Sequence, residues 1–404
     1  MTDVATRPAD TPTDPDEARV REAAEKLLAD HPPASTPPQE FLGHQFDAGL
    51  AWVHFDEGHG GLGVRPKLQK VVQETFRGSK APSSAARNPI GYGMGAPTVY
   101  THGSDAQRDR YLRPLFTGEE IWCQMFSEPG AGSDVASLST RAVRDGDEWI
   151  VNGQKVWTTL AHLSRWGMLV ARTDPDQPKH KGLTYFVVDM HAPGVEVRPL
   201  YQITGEAEFN EVYFTDVRVP DVERMGDVGD GWRVSITTLM NERVSIGGGI
   251  PAKGTGVIEL AVNAWREAGR PAGAERDELV QLWSRAEVLR LTNWRASQTR
   301  AMGTPGPEGS IGKSAMAELY KAITEYAVNI SGPNGMLLPD GYPMSRPQTA
   351  MDVATPQKAF LRCRANSIEG GTTEIMKNIL GERVLGLPGD VRVDKDRPWT
   401  EVPR

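Results

Sequence analysis

Apolar residues first recur at helical spacing in DPDEARVREAAEKLLADH, where Val20, Ala24, Leu27 and Leu28 share one face. Asp14 can cap this segment and Pro15 suits its first turn, so the pattern predicts a helix from about residue 15. HPPASTPPQEF breaks the pattern with four prolines, and HGSDAQRDRYLRPLF restarts it with Ser104 and Gln107 at capping-box spacing. From 121 the texture changes to short β-branched and aromatic runs, IWCQMF, EWIVNGQKVW, WGMLVAR, LTYFVVDM, VEVRPL and FNEVYF, separated by turn residues. They predict a mostly antiparallel sheet ending near 225. Asn152-Gly153 reads as a hairpin turn, with Trp157 on the returning strand. Helical periodicity returns around 231–268, 275–302, 311–331, 356–369 and 373–385, enough for an antiparallel bundle. The irregular GPNGMLLPDGYPMSRPQTAMD interrupts it, as a binding-site loop or a surface excursion. The expected class is α+β. It has a loosely ordered start (1–14), a helical domain (15–120), a β domain (121–225), a helical bundle (226–388) and a tail (389–404).

Composition narrows the function. A chain of 404 residues with 39% apolar and 24% charged residues can bury a large core in two or three domains. A net charge of -8 without long Lys/Arg blocks points to a small-molecule partner rather than nucleic acid or an anionic membrane. Cys123 and Cys363 stand far apart with no metal-ligand spacing, so neither a structural metal nor a disulfide framework is expected. The first twenty residues hold no apolar signal region, and eighteen consecutive apolar residues occur nowhere; a cytoplasmic, reducing location is the expectation.

Four stretches carry candidate chemistry. QMFSEPGAGSDVASLST runs a strand into a glycine turn with Ser127, Ser133 and Asp134, which can hold a polar ligand or be only a turn. In NSIEGGTTEIMKN, two glycines precede Thr372 or Thr373 at a helix start, where free N–H groups favour phosphate. In GWRVSITTLMNERVSIGGG, helical spacing places Glu242 on a stripe with Ser235, Leu239, Ile246 and Gly249, beside a face carrying Met240, Val244 and Gly248. Desolvation there would raise its pKa toward that of a useful base; pairing with Arg243 is the plainer alternative. NGQKVWTT sets Trp157 and two threonines at a strand end, where a planar cofactor could stack and a structural Trp would look the same.

FSEPGAGSD, VNGQKVWTT, NERVSIGGG and GGTTEIMKNILGERVLGLP occur in the order and at the distances found in the acyl-CoA dehydrogenase family, which the chain resembles from about residue 40 to 388. The resemblance implies a helical domain, a β domain and a four-helix bundle, with FAD between the last two and its adenine half reaching a neighbouring subunit. By similarity, Gln124, Phe126 and Ser127 back the flavin, Trp157, Thr158 and Thr159 flank its ring, and Gly132 and Ser133 face flavin or CoA. Gly371, Thr372 and Glu374 resemble the segment that holds the pyrophosphate, and Ser133, Arg243 and Gly370 are the candidate substrate contacts.

Many members of the family carry their base directly before Gly-Thr; here that residue is Gly370, and Glu369 falls one position early, in a place often taken by Tyr. Isovaleryl-CoA and long-chain acyl-CoA dehydrogenases instead use a Glu-Arg pair followed by glycines on the first bundle helix, the form of NERVSIGGG. The resemblance thus implies Glu242 as α-proton base, hydride transfer from the β-carbon to flavin N5, a trans-2-enoyl-CoA product and reoxidation by an electron-transferring flavoprotein. A backbone N–H near Gly370 and a ribityl hydroxyl would meet the thioester oxygen. One departure stands out. Where the family usually carries Arg-x-x-Phe-Gly, this chain has Trp265, Ala268 and Gly269, and Asn329 stands where Gln is common. This resembles a bacterial subgroup that pairs with a different subunit and binds half the expected flavin, leaving homodimer, homotetramer and heterotetramer open. A non-catalytic partner subunit and a flavin monooxygenase or oxidase are the rival readings. Gly247 to Gly249 would admit a branched or bulky acyl group.

Overall fold

A computed structural model describes residues 14–247, 249–301, 308–338, 341, 343–349, 355–389, 391, 394 and 396–402. The expected loose start up to residue 13, positions 339, 340, 342 and 350–352 of the irregular stretch, and positions 390, 392, 393, 395, 403 and 404 of the tail lie outside them. The chain divides into two compact units, Met1–Arg87 with Asp105–Glu120, and Asn88–Ser104 with Ile121–Arg404.

In the first unit, α1 (Pro15–Asp30) is capped by Asp14, whose side chain accepts from Asp16 N, and buries Val20, Ala24 and Leu27 as the periodicity predicts. With α2 (Pro38–Asp47) and α3 (Gln69–Thr75) it surrounds a core that includes Phe41, Leu50, Val53, Leu68 and Val71, and the short α4 (Ser84–Arg87) follows. The second unit opens with a π-turn at Gly91–Gly95 running into α5 (Ala96–His102), whereas α6 (Asp105–Thr117) belongs to the first. The π-turn is close to the bundle: a Cβ on Gly93 would lie 2.5 Å from Ser245 Oγ, so only glycine fits there without displacement.

The sheet comprises β1 (Trp122–Met125), β2 (Arg141–Asp145), β3 (Glu148–Thr159), β4 (Trp166–Arg172), β5 (Leu183–Asp189), β6 (Val195–Pro199), β7 (Phe209–Pro220) and β8 (Arg224–Met225). Its order is β6-β7-β3-β2-β4-β5-β8, with β1 parallel on β4 and most other pairs antiparallel. Alternating Val151, Leu169, Phe186, Val188, Val212 and Phe214 fill its core. The hairpin expected at Asn152-Gly153 is not there. β3 runs through both residues, with a register shift between Val151 and Gly153, and the chain reverses at Gly146 (φ 65°) between β2 and β3. Asn152 is engaged sideways, donating Nδ2 to Asp216 Oδ1 at 2.9 Å, and a Cβ on Gly153 would lie 2.4 Å from Thr140 Oγ1. The glycine therefore serves a bulge and a close approach instead of a turn.

The bundle consists of α7 (Gly231–Gly247), α8 (Ile258–Glu267), α9 (Ala274–Ala301), α10 (Glu308–Ile330), α11 (Pro356–Arg362) and α12 (Thr373–Arg383), with Ile258, Leu279, Leu282, Leu319 and Ile323 in its core. The single helix expected over 231–268 is two: it stops at Gly247 and resumes at Ile258. Consecutive glycines and Pro251 favour the break, because glycine gains little from helix and proline lacks the N–H. The segment expected as helix over 356–369 narrows to α11 followed by a 3-10 turn, Cys363–Ser367. Beside the break lies a cavity of about 380 Å³ between α9 and α10, with Trp283, Asn293, Met316 and Tyr320 in its wall. Among the described residues no helix is long and apolar enough to cross a membrane.

Candidate active site

The ends of β1 and β3 lie side by side, as Val156 N donates to Ser127 O at 2.9 Å. This brings together Gln124, Phe126 and Ser127 from one motif with Trp157, Thr158 and Thr159 from another. Behind them Lys155, fully buried, donates to Phe126 O at 3.1 Å and to Glu128 Oε1 at 2.9 Å. Glu128 also accepts Ser139 N at 2.6 Å and Thr140 N at 2.9 Å, so the two ends of the 127–140 loop are tied to one buried ion pair. Burial alone would raise the Glu128 carboxyl, but the Lys155 charge and these bonds hold it below the usual carboxylate range. Gly132 and Ser133 lie exposed on the outer part of that loop.

Glu242 faces this strand pair from α7. Gln124 Nε2 donates to its Oε2 at 3.2 Å. Burial raises the Glu242 carboxyl above its ordinary value; the Gln124 bond opposes this, Glu369 adds to the rise, and Arg243 and Lys313 oppose it. Arg243, half-buried on the same helix, is itself lowered by burial, with Arg383 adding to the effect. Of the stripe expected around Glu242, Ser235 is buried and Leu239 half-buried, while Met240 is exposed; Gly248 and the side chains of Val244 and Ile246 lie outside the described set.

The glycine-threonine segment approaches from α12. Gly370 (φ 63°) and Gly371 (φ 92°) both take the left-handed backbone that glycine allows, and Thr372 caps α12 by accepting Ile375 N at 3.2 Å. Glu374 lies exposed in the first turn. Lys313, buried on α10, donates to Gly371 O and feels the carboxylates of Glu369, Glu242 and Glu374. Glu369 is held by Arg362, with Nη1 to Oε1 and Nη2 to Oε2 both at 3.1 Å. Lys155, Glu128, Lys313 and Arg362 carry no local signal in the sequence, because each finds its partner only through the fold.

Two buried oxygens at this site, Thr158 Oγ1 and Gln124 Oε1, have no hydrogen-bond partner among the described residues. Trp157 is 57% exposed with φ 60°, a backbone that a bulky residue takes only under constraint. Its indole meets Phe209 edge-on at 5.9 Å. An open aromatic plate flanked by unpartnered buried polar atoms fits a flavin ring, and a glycine-lined helix start fits a pyrophosphate.

Comparison with known proteins agrees along nearly the whole chain. Residues 16–119, 123–217 and 229–385 match, respectively, the N-terminal, middle and C-terminal domain models of acyl-CoA dehydrogenase. Acyl-CoA dehydrogenase IpdE1 of Mycobacterium tuberculosis is 38% identical over 85% of this chain and 86% of its own length. Acyl-CoA dehydrogenase FadE34 of the same organism is 39% identical over 85% of this chain, which spans 45% of that longer protein. The solved structure of the Tcur3481-Tcur3483 steroid ACAD superposes with a TM-score of 0.72 at 25% identity, covering 93% of this chain and 94% of that one. The chain belongs to the acyl-CoA dehydrogenase family and is an FAD-dependent oxidoreductase of that type.

Proposed function

We propose that the protein removes the α and β hydrogens of a bulky acyl-CoA thioester, with Glu242 as the α-proton base. The observation that carries this reading is the placement of Glu242, a buried carboxylate raised by burial, bonded to Gln124 of β1 and within range of the charges of Glu369 and Lys313. Gln124 orients one carboxylate oxygen. Lys313, by holding Gly371 O, fixes the backbone whose N–H near Gly370 would receive charge from the thioester oxygen as the proton leaves. FAD held by Trp157, Thr158, Gln124 and the 371–374 helix start supplies the two-electron acceptor for the β-hydrogen. Ser133 and Arg243 are assigned to the CoA and acyl path.

The bulk of the substrate is inferred from the break in the helix that carries Glu242; the cavity of about 380 Å³ beside that break shares none of its lining with Gln124, Glu242 or the glycine-threonine turn and does not enter the inference. The likeness to a steroid ACAD points the same way. The reading is tested by mixing FAD-loaded protein with acyl-CoAs of graded length and ring content and an artificial electron acceptor. Turnover is expected with ring-bearing thioesters; a protein that takes up no FAD, or that oxidises no member of the series, contradicts it.

The assembly proposed is an oligomer, with an electron-transferring flavoprotein as acceptor. A heteromeric form is favoured by the changed Arg-x-x-Phe-Gly position. There Trp265 turns inward, Nε1 donating to Pro271 O at 2.9 Å, and offers no cation to a phosphate. The isolated chain is expected to retain less than one FAD per chain after dialysis. One tightly held FAD per chain would show that another cation, such as Arg266 or Arg270, replaces the missing one.

A further inference from the structure

The second carboxylate of the site is restrained by an unusual arrangement. Arg362 ends α11 and is buried among two acids and a ring. Besides its two bonds to Glu369 it donates Nε to Glu208 Oε2 at 3.3 Å and Nη2 to Glu208 Oε1 at 3.4 Å. Its guanidinium lies 5.2 Å from the centroid of Phe209, the ring that meets Trp157 edge-on. Glu208 is 1% exposed, and its backbone oxygen receives Leu160 N at 2.9 Å, next to the threonines of β3. A single planar fork thus spans two carboxylates, a geometry that lysine cannot reproduce.

We infer that Arg362 is a positioning residue for proton abstraction: it commits the Glu369 carboxylate to an ion pair with itself beside Glu208, and so keeps Glu369 from competing with Glu242 or repelling its ionised form. The inference rests on Glu242 being the base. The charged groups facing Glu242 are Arg243 on its own helix, Lys313 from α10 and Glu369 from the turn before α12, with neutral Gln124 from β1. Those facing Arg362 are Glu208 and Glu369, and the neighbouring Lys358 is taken up by Glu206 at 2.7 Å. Without Arg362 both Glu369 and Glu208 lose the cation they share, among the described cations only Lys313 remains near Glu369, and ionising Glu242 becomes harder. Without Glu369, Arg362 stays paired with Glu208 and one negative charge near Glu242 is gone, so ionisation becomes easier.

The test follows the Glu242 carboxyl by infrared difference spectroscopy, E242Q subtracted, as pH is varied in FAD-loaded protein without substrate. R362Q is expected to move its midpoint up by about one pH unit, E369Q to move it down, and R362Q/E369Q to return it close to wild type. The acid limb of flavin reduction should move in parallel. If R362Q fails to fold because buried Glu208 loses its counter-ion, R362Q/E208Q, which frees Glu369 but leaves no unpaired charge at 208, takes its place and is expected to move the midpoint up. A midpoint that E369Q leaves in place, or moves upward, overturns the inference. Because the infrared signal reports Glu242 protonation without turnover, a failure of this inference is told apart from a failure of the Glu242 assignment, which flavin reduction by E242Q tests.

Discussion

E242Q is expected to bind acyl-CoA while reducing its flavin at least about 100-fold more slowly than the wild type, the typical loss when a general base is removed. Glutamine keeps the shape of the side chain and its contact with Gln124, but it cannot take a proton. E369Q should remain within a few-fold of wild type at neutral pH, since Arg362 already occupies that carboxylate. The pH dependence follows from the direction of the Glu242 shift. A base works only when ionised, so flavin reduction should fall as pH drops through a midpoint above the ordinary carboxylate value of 4.5. The same shift has the opposite sign for stability. A carboxyl whose folded pKa lies above its unfolded one costs the fold stability once pH exceeds the unfolded value, so E242Q should match or exceed wild type in thermal stability at neutral pH. A thermal midpoint well below wild type would show that Glu242 is structural.

K155M should be the most damaging single change in the sheet. It removes one partner of a buried pair and leaves Glu128 charged and buried without its counter-ion, a loss of about 3–5 kcal/mol. Because Glu128 also anchors Ser139 and Thr140, the 127–140 loop should loosen, and FAD retention should fall together with stability. K155M/E128Q should recover much of the loss, since no unpaired charge remains. Glu128 gives the pair its pH dependence. Its folded pKa lies below the ordinary 4.5, so the stabilisation is complete above that value and disappears as pH falls through the depressed one. Chemical denaturation at neutral and acidic pH measures both effects. Equal stability of K155M and wild type at neutral pH would contradict this account of the loop.

The order of helices, strands and bundle could be read from periodicity, because amphipathic spacing such as Val20, Ala24 and Leu27 is a local property that the fold did not override. Glu242 could be singled out because its helix and the following glycines form a contiguous signal. Asn152-Gly153 reads locally as a turn although the same dipeptide serves a bulge, and the contact that decides between them, Asp216 on β7, lies 64 residues away. The break between Gly247 and Ile258 had its glycines and Pro251 in plain view, but the apolar periodicity on both sides masked it. Lys155, Lys313 and Arg362 carried no local mark at all. Lys155 meets Glu128 across 27 residues, Lys313 meets Gly371 across 58, and Arg362 meets Glu208 across 154. A lone basic residue in a sequence reads as surface until the fold buries it beside an acid.

The proton step can be isolated from the redox step with an acyl-CoA that has α-hydrogens and a quaternary β-carbon, which can lose a proton but cannot be dehydrogenated. Incubated in D2O and followed by NMR, its α-hydrogens should exchange with wild-type protein and with E369Q, and should not exchange above background with E242Q. Exchange that survives in E242Q and disappears in E369Q would place the base at Glu369 and contradict the account.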